Sequence, residues 1–136
     1  SESGNGPYGQ FITTGHHVLG ADEPESLGGR DTGPDPYELL LSALGACTAM
    51  TLRMYATRRE WPVEHIEVRL RHVQRASGGA EGLHDRFGRV VEIKGALSDE
   101  QRARLIAVAD RCPVSQTLQR SSEVTTVLAG QEQAAG

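Results

Sequence analysis

The sequence predicts an α+β domain, and three observations carry that expectation. A long, strongly capped helix opens at Asp35. Two later segments, around Ile66–Leu70 and Phe87–Ile93, alternate apolar and polar residues with a period of two. After them lie two further helix starts, at Ser98 and at Cys112-Pro113. No internal repeat, low-complexity tract or linker divides the 136 residues, so residues 1–136 read as a single domain. Residues 1–7 and 130–136 are expected to fray.

From Gly9 to Asp22 the chain reads as a hairpin, with Phe11-Ile12 on one arm, Thr14-Gly15 in the turn and His17–Leu19 on the other. Asp22–Asp35 is rich in glycine, proline and charge, and is expected to be a loop. Asp35 then supplies an N-cap, Pro36 suits the first helical position, and Glu38 completes an Asp-x-x-Glu capping box. The helix carries Leu39, Leu40, Leu41, Leu44, Cys47 and Met50 among small residues, with almost no polar face. That pattern predicts a helix buried all round, whose small residues admit another backbone closely. It should end before Trp61-Pro62.

Ile66, Val68 and Leu70 share one strand face, opposite Glu67, Arg69 and Arg71, while Phe87, Val91 and Ile93 repeat the pattern. The two form an antiparallel pair across a glycine-rich loop at 76–85. Ser98 with Gln101 caps a helix striped by Leu105, Ile106, Val108 and Ala109. Pro113 starts another, placing Cys112 at its N-cap. A last strand is expected over Val124–Leu128.

Composition excludes several functions. A net charge of −4 argues against a nucleic-acid or anionic-membrane binder, both of which need a basic surface. No purely apolar run approaches the roughly 20 residues of a membrane span, and no basic-then-apolar signal segment opens the chain. Aromatic residues are only 4%, a thin core inventory that a second copy of the chain could complete. Two cysteines without a signal segment fit a cytoplasmic protein.

Cys47 and Cys112 are therefore inert thiols, a redox pair or part of a metal site. Metal is disfavoured, because no ligand spacing supplements them. His16 and His17, as strand neighbours, should face opposite sides, and His65 and His72 should likewise diverge. Cys112, at a helix N-terminus beside Arg111, is expected to ionise more easily. Cys47, mid-helix among aliphatics, is expected to hold its proton unless an arginine reaches it. Arg30 in the preceding loop is the candidate, while Arg53 and Arg58 should face solvent. Glu38 is explained by capping, or alternatively orients that arginine. Nine helical residues separate Glu38 from Cys47, about 13.5 Å of rise and half a turn, so the two cannot bond directly within one chain.

The run Gly33-Pro34-Asp35-Pro36-Tyr37-Glu38-Leu39-Leu40-Leu41, then Ala43-Leu44-Gly45-Ala46-Cys47-Thr48, resembles the first cysteine helix of the OsmC/Ohr family. Ala109-Asp110-Arg111-Cys112-Pro113-Val114 resembles that family's second cysteine motif. The segment from His17 to Gly29, with Arg30, is most similar to an OsmC-like branch sometimes fused to an α/β-hydrolase. The resemblance implies an antiparallel sheet wrapped around a buried central helix in an intertwined homodimer. It implies a cofactor-free thiol peroxidase acting on organic hydroperoxides: Cys47 attacks, Cys112 resolves, Arg30 activates and Glu38 orients. The resulting disulfide is reduced by an external dithiol. Two features depart from the pattern. The hairpin from Tyr8 to Asp22 contains no arginine, and Tyr37 stands where the strongest peroxidases of the family carry their glutamate. A non-catalytic module, binding a small apolar ligand or dimerising a fused hydrolase, is the rival reading.

Overall fold

A computed structural model describes residues 1–76 and 83–130. β1 (Gln10–Thr14) and β2 (His17–Ala21) form the expected hairpin, paired from Gln10↔Ala21 to Thr14↔His17. Its two-residue turn needs Gly15 at φ +59, a backbone angle that side chains disfavour. His16 thereby lies in the turn, not the strand, and the His16 and His17 rings meet at 4.1 Å rather than facing apart. Residues 1–7, expected to fray, run back along β1: Ser3 N donates to Gly9 O at 2.9 Å and Phe11 N to Ser1 O at 2.8 Å.

The following loop is ordered by Asp22. Its buried carboxylate accepts from the Thr32 hydroxyl at 2.8 Å and from the backbone N–H groups of Glu23, Arg30 and Thr32. The Thr32 hydroxyl bond, helped by those N–H groups, outweighs burial and holds Asp22 below its ordinary pKa.

α1 (Pro36–Arg58) begins with the expected capping box: Glu38 N donates to Asp35 Oδ1 at 2.8 Å, and Asp35 N to Glu38 Oε2 at 3.0 Å. The helix is not buried all round. Leu44, Gly45, Thr48, Leu52 and Ala56 are buried, whereas Ala43, Ala46, Met50 and Met54 lie exposed on the opposite side. Met50 is 64% exposed and Met54 56%. α1 is also long and apolar enough to cross a membrane by length and composition, contrary to the sequence reading. Its buried face nevertheless packs on protein, against the strands and helices that follow.

β3 (Val63–Ala76) and β4 (Leu83–Gly95) make a long antiparallel pair in register Ile66↔Ile93, Leu70↔Arg89 and His72↔Phe87, with a bulge between Val63 and His65. The expected loop at 76–85 falls mostly on residues 77–82, outside the described residues, and Leu83–Asp85 are strand. Gly45 lets α1 settle on this pair, since a Cβ there would stand 2.7 Å from Leu70 Cδ1. α2 (Asp99–Ala109), capped by Ser98 and Gln101, and α3 (Pro113–Gln119) complete the described elements. The core joins α1, α2 and both long strands through Leu52, Ala56, Val63, Ile93, Leu105 and Val108. The strand expected at Val124–Leu128 does not form. Those residues have no regular secondary structure, and Val124 is 87% exposed. Both described sheets stop at two strands, and this segment joins neither of them.

Candidate active site

The fold brings the two cysteines together. Cys47 sits one position before the buried Thr48 on α1, and Cys112 is the N-cap of α3, as the Cys-Pro pair indicated. Each thiol perturbs the other's ionisation, so the two sulfurs are neighbours, and neither is in a disulfide. Cys112 is wholly buried, whereas Cys47 retains some exposure.

Their surroundings differ in what they offer an anion. Burial pushes the Cys47 thiol up, and the adjoining Cys112 sulfur adds to this; the Val114 N–H and the Thr51 hydroxyl only partly oppose it. Burial also disfavours the Cys112 anion. Against it stand the Cys47 S–H, the Ser115 N–H at 3.5 Å, the Thr48 hydroxyl and the Val114 N–H, and the net effect lowers Cys112. The pair titrates as a unit, and the first negative charge it acquires rests mainly on the buried sulfur.

Thr51, whose hydroxyl favours the Cys47 anion, lines a cleft of about 310 Å³ with Met54, Tyr55, Arg58, Arg111 and Pro113. Among the described residues, neither sulfur accepts a hydrogen bond from a guanidinium. Arg111 stays exposed beside that cleft. Arg53 and Arg58 are exposed, as expected, and Arg53 also donates to the Val63 and Glu64 carbonyls.

Arg30 and Glu38 are not brought to the thiols of their own chain. The Arg30 side chain lies over Gly6 and donates to Asn5 Oδ1 at 3.5 Å, because its backbone is pinned outward by Asp22. Glu38 is occupied by its capping box, a full stretch of helix away from Cys47. Tyr37, at the position of the glutamate in the strongest peroxidases, stacks on His72 at 4.4 Å. His72 in turn stacks on Phe87 at 4.8 Å and bonds Asp85 at 2.7 Å.

The sequence reading passed over Arg89. Its side chain is only 15% exposed. Nη1 donates to Thr48 Oγ1 and to Ala109 O, each at 3.0 Å, and Nη2 to Asp110 Oδ1 at 2.7 Å. A guanidinium thus stands one hydroxyl away from Cys112. A signal for it was present: in Phe87-x-Arg89-x-Val91-x-Ile93, Arg89 is the charged residue in the inward phase of the alternation.

Comparison with known proteins agrees with this architecture. The family model described as OsmC-like protein matches residues 28–127. Similar solved structures include an organic hydroperoxide resistance protein OsmC from Legionella pneumophila, with 20% identity and a TM-score of 0.62 over 82% of this chain and 87% of that one. An OsmC-like protein from Mycoplasma pneumoniae is 22% identical, with a TM-score of 0.66 over 82% and 79% of the two chains. The organic hydroperoxide resistance protein OhrB of Bacillus subtilis is 19% identical, with a TM-score of 0.59 over 82% and 88%. At such identities the likeness is one of fold. No curated protein sequence matched the chain. The family match spans both cysteine motifs and the strands between them, and the chain belongs to the OsmC-like family.

Proposed function

We propose that the protein is a homodimeric, cytoplasmic thiol peroxidase that reduces organic hydroperoxides through Cys47 and Cys112. The observation that carries this reading is the juxtaposition of two free thiols, one partly exposed and one wholly buried at a helix N-cap. Family membership supports it, as do the hydroperoxide resistance proteins among its structural neighbours.

The roles divide by access and charge. Peroxide meets the partly exposed Cys47 rather than the wholly buried Cys112. As the remaining proton of the pair moves from Cys47 to Cys112, the Cys47 thiolate attacks the terminal peroxide oxygen. The O–O bond breaks, the alkoxide takes a proton and leaves as alcohol, and Cys47 becomes a sulfenic acid. Cys112, again a thiolate, attacks the Cys47 sulfur. A disulfide forms and the hydroxyl departs as water once protonated. Two thiols and one hydroperoxide thus give one disulfide, one alcohol and one water. An external dithiol then restores both thiols.

A second copy of the chain completes the site. The protomer exposes 10000 Å², well above the roughly 7,000 Å² expected for a compact chain of this mass. The excess is apolar where it matters, with Met50 and Met54 on α1 and Phe11, Val18 and Leu19 on a hairpin that packs little against the rest of its own chain. In the dimer, Arg30 and Glu38 serve the thiols of the opposite protomer. The proton held on Cys47 favours one rival, a non-catalytic module of the same fold. Hydroperoxide consumption by Cys47→Ser and Cys112→Ser separates the two: loss of turnover in both supports the peroxidase, and full turnover with Cys47→Ser removes it.

A further inference from the structure

We propose that Arg89 is a positioning residue for the thiol pair, holding the Thr48 hydroxyl so that its hydrogen can turn from the Leu44 carbonyl to the Cys112 sulfur. The inference rests on the reading of Cys47 and Cys112 as a working redox pair, and concerns the second thiol.

The argument is one of donors and acceptors. A threonine hydroxyl has one hydrogen and two lone pairs. Arg89 Nη1 donates to Thr48 Oγ1 at 3.0 Å, and Oγ1 donates to Leu44 O at 2.7 Å. Leu44 O is also the backbone acceptor of the helix at that turn, so it does not lose its only partner if the hydroxyl turns away. The same hydroxyl favours the anion of Cys112, which is buried beside it. When Cys112 is a thiol, the hydrogen points to the carbonyl. When Cys112 is an anion, rotation about one bond points it at the sulfur, and Arg89 holds the oxygen in place throughout. The guanidinium also polarises the hydroxyl, strengthening it as a donor.

Thr48 and Cys112 are fully buried, where such an interaction is screened least. The groups acting on Cys112 are Cys47 and Thr48 from α1 and the Ser115 and Val114 N–H groups of α3; Arg89 from β4 stands behind Thr48 and against Asp110, and Arg111 is beside Cys112 in the chain. Asp110 is 73% exposed, so it only partly offsets the charge of Arg89. The role falls in the resolving step, where Cys112 must be anionic to displace hydroxide from the oxidised Cys47.

The test is an ultraviolet thiolate titration of full-length protein carrying Cys47→Ser, which leaves Cys112 as the one thiol and keeps a hydroxyl beside it. Thr48→Val should raise the midpoint by about one pH unit, the size expected for one charge-assisted hydrogen bond, and Thr48→Ser should restore it. Arg89→Met should raise it too. Because Arg89 also ties down the end of α2, Asp110→Asn supplies an independent arm: freeing the guanidinium of its counter-charge should lower the midpoint, a direction that loosened packing does not give. Midpoints unmoved by Thr48→Val, or an upward shift with Asp110→Asn, would overturn the proposal. The titration involves no peroxide. If the shifts appear but the wild type consumes no hydroperoxide, the peroxidase reading fails and the Arg89 assignment stands.

Discussion

Replacing Met50 by glutamate puts the proposed dimer to a severe test. Met50 is 64% exposed in the protomer and stands on the outer face of α1, so within one chain the change costs little. A partner covering that face alters the arithmetic. Burying a methionine side chain is worth about 1.5–3 kcal/mol, so covering the exposed part of this one contributes about 1–2 kcal/mol per protomer. A two-fold interface counts it twice, giving about 2–4 kcal/mol, or roughly 30- to 1,000-fold in the dimer dissociation constant. The glutamate adds the cost of desolvating an unpaired charge on each side, several kcal/mol more. Sedimentation equilibrium should therefore show a wild-type dimer and a Met50→Glu monomer at micromolar concentration, with circular dichroism reporting intact helices in the protomer. A dimeric Met50→Glu protein, or a monomeric wild type, would refute the reasoning.

Other predictions concern the thiols, the loop and the core. Cys112→Ser should permit a single attack and stop, so one equivalent of hydroperoxide leaves a Cys47 sulfenic acid that a carbon nucleophile traps; no adduct in mass spectra would count against the resolving role. Asp22 is held below its ordinary value of 3.8 in the fold, so its contribution to stability is present above the unfolded pKa and fades as pH falls through the folded one. Asp22→Asn should accordingly melt earlier than wild type at neutral pH, with the gap closing in strong acid; a gap independent of pH would contradict this. Leu52 is fully buried, and Leu52→Ala should cost about 2–5 kcal/mol, read as a lower urea midpoint.

Much of the architecture was legible because its signals are local. Asp35, Pro36 and Glu38 mark one helix start, and Ser98 with Gln101 another, through hydrogen bonds that span three residues. The period-two alternation of β3 and β4 survives intact in the structure. What failed was whatever depends on a neighbour distant in sequence. Val124–Leu128 has strand-forming residues yet joins neither described sheet, and α1 has apolar residues all round but, within one chain, protein on one side only. His16 looked like a strand residue until the turn claimed it.

The candidate site divides the same way. The Cys-Pro pair showed Cys112 as an N-cap, and burial told of a protonated Cys47. Arg30 sits close to the helix in sequence, yet Asp22 turns its backbone toward the N-terminal segment. Arg89 is 41 residues from Thr48, and pairing of β4 with β3 is what delivers it beneath α1. Its inward phase among apolar residues was readable; its destination was not.

The most direct measurement is a thiol count before and after one equivalent of an organic hydroperoxide, with peptide mapping of the product. The account predicts that both thiols of each chain disappear together and that the peptides bearing Cys47 and Cys112 are recovered as one disulfide-linked species from a single chain. Two thiols still free after exposure, or a crosslink only between chains, would contradict it.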